Sequence, residues 1–529
     1  MKKGLNTLLL CTGLIICIDA FAQTESTLYF MNSIPQVVEA NPAIIPRYKT
    51  SIGLPFISSM GAVYTNNGFS YNDIISKIDG NTKLDLSNLS SKLTEKNYIQ
   101  AAAYADIFRI GLRISPKVYL MASSTAKSFE RTMIPKGLIG LLVDGTAPLV
   151  GSYSQSAPSA EANAMLVTSM GLAYQANDRL TVGGRLKYLI GQTNVTTDAS
   201  SLVVQVSDTY EVTATGQATV KTSGVNSLTS SGYDVSEHWT DYLKNNGWGL
   251  DLGATYKVTD KLTLGASLTD IGFITWRNNT YKYTLDPAKA TYTFSGIDIS
   301  KLANNNKDYL NGQLDSIKNK FQMKESSTGS YSTMLPGKLY LSGKYEILQD
   351  LSVGLLFFNE KYKERLSSGV TAAVNKNFGK LVSTYLSYTA SNRSYNNIGL
   401  GVSFNVSPVQ VYFVGDNIFG ATTSLVTNGN LNSYLNSAQV VTVRAGLNIV
   451  MGWDKGNTRK AEKGESGIPR SKTSNSIMKT TVGGNPNPRS SKSKKMKTTV
   501  GQSPNSKSNS SKMKITVGPS PEKSKKKKK

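Results

Sequence analysis

Val441-Thr-Val-Arg-Ala-Gly-Leu-Asn-Ile-Val-Met-Gly-Trp453 decides the fold. Val441, Val443, Ala445, Leu447, Ile449, Met451 and Trp453 fall on one face at a period of two, and Thr442, Arg444, Gly446 and Asn448 fall on the other. That period belongs to a β-strand, not a helix. The same alternation recurs in Ile398, Leu400, Val402, Phe404 and Val406 against Gly399, Gly401, Ser403 and Asn405. It recurs again in Leu250, Leu252, Ala254, Tyr256 and Val258 against Gly249, Asp251, Gly253, Thr255 and Lys257. A soluble sandwich would turn the apolar face to a dry core. A membrane barrel would turn it to lipid and line a lumen with the small, glycine-rich polar face.

Three features favour the barrel. The alternating runs span about 9 to 13 residues, as a tilted crossing of the hydrocarbon layer requires. Aromatics such as Tyr256 and Trp453 close several of them, where an interfacial girdle sits. Very short connections alternate with long ones. Six tight turns are legible: Ser115-Pro116-Lys117, Ala176 to Arg179, Thr259 to Lys261, Leu348 to Asp350, Asn377 to Lys380 and Ser407-Pro408. Each joins two strands. With a first strand near Thr50 to Tyr64 and a last one at Gln439 to Trp453, the expectation is an all-β, transmembrane antiparallel barrel of about 14 strands, within a range of 12 to 16. The largest external loops then fall in its N-terminal two-thirds. Residues 198–222 and 280–299 read as strand extensions or external hairpins. Tyr71 to Leu93, Ile134 to Leu142 and Asp298 to Met323 carry helical spacing and fit loop or plug elements.

The flanks differ from this body. Lys2 and Lys3, the apolar run Leu8 to Ile18 and Ala20-Phe21-Ala22 have the order of a secretory leader ending at residue 22. Cys11 and Cys17 are the only cysteines and both lie within it, so no disulfide is expected in the mature chain. Residues 23–48 read as an N-terminal periplasmic or plug segment and 49–453 as the barrel. Residues 454–529 read as a disordered tail with 21 Lys plus Arg against 4 acids, most of the chain's formal +24. Within the tail, Met478-Lys-Thr-Thr-Val-Gly483 recurs at Met496 to Gly501 and, with Ile in place of one Thr, at Met513 to Gly518. The tail suits a solvated extension, attachment to an anionic envelope surface, or strand addition to a protein partner. It has no aromatic to stack a base, so no nucleic-acid partner is expected.

Glu39-Ala-Asn-Pro-Ala-Ile44, Gly53-Leu-Pro-Phe-Ile-Ser-Ser59, Asn66 to Asp73, Leu250 to Gly253, Leu268 to Trp276 and Gly415 to Gly420 resemble segments of a family of uncharacterised Bacteroidota outer-membrane β-barrels. The likeness covers most of residues 23–453 and none of the tail. Asn41-Pro42-Ala43 is more loosely similar to an element of long-chain fatty-acid-transporter-like barrels, which have fourteen strands and an N-terminal plug, and of type IX secretion accessory barrels. The resemblance implies a cell outer-membrane location and marks Asn41, Pro42 and Ala43 as plug candidates.

Phasing the strands by their apolar faces puts Arg109, Arg113, Arg185, Lys187, Lys257, Lys344 and Arg444 inside, with Asp251 and Glu346 the acids placed among them. A cation turned instead to mid-bilayer would cost about 2–4 kcal/mol. These cations suit a conduit for anionic small molecules. They suit better a purely structural role, pairing with plug acids such as Glu25, Glu39, Asp73 or Asp79. His238, the only histidine, falls in a long loop and reads as a surface residue. No nucleophile–base pair, phosphate-cradling loop or metal-spaced cluster is recognisable, so neither an enzyme nor a cofactor is expected. Two functions follow. One is passage or binding of small hydrophobic or anionic molecules. The other is a structural or secretion-accessory barrel that docks proteins through its tail or loop aromatics such as Trp239, Trp248 and Trp276.

Overall fold

The computed structural model describes residues 26–66, 75–78, 81–84, 93–225, 243–294, 307–363, 365–391, 394–417 and 440–453. The leader, the tail, His238, Trp239, Glu25, Asp73 and Asp79 lie outside them.

Fourteen antiparallel strands pair neighbour to neighbour and close on themselves. The first runs Tyr48–Gly53 and resumes at Met60–Asn66. Both halves pair with the second strand, Lys96–Ser115, on one side and with the last, Val440–Trp453, on the other, through pairs such as Ile52↔Ile449 and Val63↔Thr442. Pro55, which cannot donate to a ladder, falls in the interruption. Between these strands stand Val118–Pro135, Ser159–Gln175, Leu180–Val206, Asn246–Lys257, Leu262–Trp276, Gly337–Leu348, Leu351–Tyr362, Arg365–Phe378, Val382–Ser391, Ser394–Val406 and Val409–Asp416. All six tight turns fall where the sequence places them, at one end of the barrel. Among the described residues no helix is long and apolar enough to cross a membrane; the strands cross it.

The alternation becomes two surfaces. Phe108, Ile110, Leu112 and Ile114 are exposed on the outside, as are Val374, Leu386 and Leu400, which sit side by side on three adjacent strands. Thr442, Arg444 and Asn448 are buried inside. An outer wall of Leu, Ile, Val and Phe around a polar interior inverts a soluble protein and matches a barrel in lipid.

At the other end the sheet continues past the membrane. The fifth strand has 27 residues, about 90 Å at strand rise, several times what a hydrocarbon layer needs. It pairs there with Val212–Ser223 and Ser152–Ser156, and Thr280–Leu285, Thr291–Phe294 and Lys324–Ser327 extend the layer. Helix Lys307–Lys320 falls within one of the stretches with helical spacing, and helix Lys136–Val143 overlaps another and ends one residue past it. The third stretch is a correction: within Tyr71 to Leu93 the described residues form a hairpin, Ile75–Ile78 with Asn81–Leu84. The two residues between its strands are Asp79-Gly80, a dipeptide suited to a two-residue hairpin turn, and this local signal outweighs a short apolar period.

Residues 26–45 add no strand to the barrel. Ser26–Phe30 is one helical turn and Pro35–Glu39 a 3-10 turn, and nearly every residue from Ser26 to Ala43 is buried. Tyr29, Phe30, Met31 and Ile34 pack with the inward-facing Tyr340, Leu356, Phe358, Tyr385 and Tyr412. Ser33 meets Ser403 at 2.9 Å, Gln36 donates to Asn448 at 2.9 Å, and Gln410 donates to the Ser33 carbonyl at 2.7 Å. The glycines of the polar face make this fit possible. A Cβ at Gly253 would collide with Asn41, one at Gly354 with Phe30, and one at Gly399 with Thr27.

Candidate functional site: a charge-lined lumen

The inner charges fall into two groups. The first surrounds Glu39, the acid of the N-terminal segment. Arg109 pairs with Glu39 Oε1, and Arg444 Nη2 donates to Oε2 at 2.9 Å. Arg109 is held in turn by Asp106 at 2.7 Å, and Asp106 accepts from Thr125 at 2.7 Å. Arg444 donates to the Tyr104 hydroxyl at 2.8 Å and stacks over its ring at 4.4 Å. Burial alone would raise the Glu39 carboxyl; the fields of Arg444 and then Arg109 oppose it and hold the group well below the usual carboxylate range. Glu39 is therefore ionised at neutral pH and ties the segment to two strands that flank the first strand.

Beside it, Lys187 reaches Asp251 at 2.6 Å and Asp270 at 2.5 Å. Arg185 lies 3.5 Å from Asp251 and donates to Ser169 at 2.7 Å, and Lys338 lies 3.6 Å from Asp270. The second group crosses the lumen nearer the long-connection end. Arg131 of the third strand reaches Glu360 of the ninth at 3.1 Å, and its guanidinium lies against the rings of Phe129 and Tyr362 at 5.1 and 4.9 Å, which meet edge to face at 5.7 Å. Lys363 pairs with Glu161 of the fourth strand, which also accepts from Thr196 at 2.7 Å. The ninth strand stands across the ring from the third and fourth, so these contacts span the barrel's width.

Between the two groups lies a cavity of about 180 Å³. Lys127, Arg185, Lys187, Lys338 and Arg444 reach it, against Glu39, Asp270 and Glu360 as acids. Leu28, Phe129, Met165, Val167, Leu335 and Tyr340 give it an apolar wall.

The structure thus brings together four of the cations placed inside from sequence: Arg109, Arg185, Lys187 and Arg444, all nearly fully buried. Three stand apart. Arg113 is half-buried and donates to the Pro46 carbonyl at 3.0 Å, Lys344 pairs with Glu346 at 3.4 Å, and Lys257 is exposed at the tight-turn rim. Asn41, Pro42 and Ala43 lie in the N-terminal segment. Asn41 donates to the Tyr29 hydroxyl at 3.1 Å and accepts from the Ala43 amide at 2.9 Å, while Pro42 lies against Gly183.

Sequence phasing missed Asp106, Asp270, Lys127, Arg131, Glu161 and Glu360. Lys127 and Arg131 share the parity of the inward Tyr119 and Met121, so extending the phasing along the third strand would have found them. The two aspartates are different. The ladder slips at Asp106/Phe108, and Thr269 and Asp270 together oppose Asp251. At such a bulge parity fails, and Asp270 turns inward with φ +58. One aromatic is a correction. Trp276 is not exposed for docking; it is fully buried against Met165, Leu189 and Ile274, and its indole donates to Thr333 at 2.9 Å. Trp248 is exposed, but on a barrel strand beside Tyr188, not in a loop.

Among solved structures, the chain is similar to the Pseudomonas putida toluene transporter TodX, at 10% identity over 79% of this chain and 92% of that one, with a TM-score of 0.35. It is also similar to a Pseudomonas aeruginosa FadL homologue, at 10% identity over 79% and 94%, with a TM-score of 0.34, and to the KdgM porin, at 9% identity over 56% and 99%, with a TM-score of 0.22. No curated protein matches it. The model of a family of unknown function, DUF5723, matches residues 42–416, from the segment that fills the lumen to the end of the thirteenth strand; the chain belongs to that family.

Proposed function

We propose that this protein is an outer-membrane barrel that binds small hydrophobic or anionic molecules in its lumen and passes them across the membrane without covalent chemistry. The observation that carries this reading is the way the lumen is filled. Residues 26–45 share no ladder with the barrel and are held by side-chain contacts and the Glu39 ion pairs. A cavity lies directly beside them. A segment held in this way can shift without opening the sheet, whereas removing a strand would break two ladders. In this reading residues 1–22 are a cleaved leader, the tight turns face the periplasm, and the basic tail lies there against an anionic surface or a protein partner. Uptake of small organic anions into proteoliposomes tests it. Wild-type vesicles should exceed empty ones, and Arg109→Ala and Arg185→Ala should change the rate. No uptake above empty vesicles from any of the three would overturn the reading.

A further inference from the structure

The cations around the cavity are not equivalent. Arg185 and Lys187 are matched by Asp251, Lys187 and Lys338 by Asp270, and Arg444 by Glu39. Lys127 borders the same cavity and, among the described residues, makes neither a hydrogen bond nor an ion pair. A lysine drawn inside a barrel at a dehydration cost is left with no anion in contact; the Asp270 and Glu39 carboxylates, each already in contact with other cations, act on it only from beyond contact distance. Close by, the buried Asn163 amide oxygen has no hydrogen-bond partner. Lys127 pairs with Met165 across the ladder, which puts Asn163 at the diagonal position on the same face. Diagonal neighbours stand about 7–8 Å apart, within the span of one small molecule. Met165 and Val167, both buried, continue that wall.

From these residues we infer a solute site in which Lys127 binds the carboxylate of a compact organic anion, Asn163 accepts from a hydroxyl or amide on it, and Met165 and Val167 cover its apolar body. The size follows from the cavity, about 180 Å³ against the 300–1,000 Å³ typical of drug-sized pockets. The sign follows from the count: Arg185, Lys187 and Lys338 share two acids and Lys127 touches none, so the excess beside the cavity is positive and an anion offsets it. The inference rests on reading the lumen as a solute site, but it is tested by binding and not by passage.

Calorimetric titration of the full chain in detergent with 4-hydroxybenzoate tests it, with uncharged 4-hydroxybenzyl alcohol as comparator. The acid should bind about tenfold or more tightly than the alcohol. Lys127→Met should abolish the difference while the barrel keeps its gel mobility before heating, and Lys127→Arg should retain it. Absence of acid binding, equal binding of acid and alcohol to the wild type, or an undiminished preference in Lys127→Met would each overturn the site. The ligand comparison on unaltered protein holds even if a variant fails to fold. Binding as expected without vesicle uptake would leave this site standing and remove the passage reading.

Discussion

Glu39 shows how much one side chain can carry. Its carboxylate is shared by two guanidiniums from strands distant in sequence, and those strands flank the first strand. Glu39→Gln removes the charge that Arg109 and Arg444 share, while Arg109 keeps Asp106. Removing one member of a buried pair costs about 3–5 kcal/mol, and here the loss falls on the docking of residues 26–45, not on the ladders. The expected outcome is faster proteolysis of that segment and faster solute uptake, with unchanged heat-modifiable gel mobility. The pH dependence has a definite sign. The folded Glu39 carboxyl titrates below the ordinary value near 4.3. Its contribution is therefore complete above that pH and is lost as pH falls through the depressed folded value. Protease sensitivity of the segment should be flat between pH 7 and 5, rise only in strongly acidic buffer, and in Glu39→Gln lose that acid-induced rise.

Two kinds of element shape the lumen. Bulges turn aspartates inward where plain alternation would have sent them to lipid, and each such aspartate anchors a cation: Asp106 holds Arg109, and Asp270 holds Lys187 and Lys338. Opposite strands are joined across the interior by Arg131 with Glu360 and by Glu161 with Lys363. With the cavity on one side and the long-connection end on the other, this crossing stands in the path that the proposed passage requires. An Arg131→Cys, Glu360→Cys pair bridged by a bifunctional thiosulfonate, which spans a gap too wide for a direct disulfide, replaces the ionic crossing with a covalent one in a chain whose only native cysteines are Cys11 and Cys17. Cross-linked vesicles should lose uptake, and a reductant should restore it to or above the wild-type rate. Uptake unchanged by the cross-link, with the bridge verified by mass, would place the path elsewhere.

For the molecule as a whole, the outer wall is the greasy surface and the inner wall the polar one. Leu386 lies mid-strand, 54% exposed and flanked by Val374 and Leu400. Leu386→Arg should lower unfolding stability in bilayers by about 2–4 kcal/mol, read from urea titration of the gel-mobility shift. In a soluble sandwich an exposed arginine there would cost almost nothing, so the size of the loss reports on the surrounding medium.

The barrel was legible because a strand's side chains alternate strictly and lipid enforces that alternation on every crossing. Six tight turns, each a short polar interruption between long apolar-alternating runs, gave the strand count, and Arg109, Arg185, Lys187 and Arg444 followed from parity alone. The partners of those cations were legible only in part: Asp251 followed from the same parity and Glu39 stood among the acids of the N-terminal segment, but not which cation each would meet. Asp106 and Asp270 are set by ladder slips that leave no mark in the period, and Glu39 meets Arg444 across 405 residues of chain. Glycine on the polar face was visible in the sequence. Its reason, room for residues 26–45 to lie against the wall, is a matter of close approach in three dimensions. Local periodicity determined which way each strand faces; only closure of the sheet decided which charges meet inside it, because those encounters depend on strand order, stagger and the shape of the space left between them.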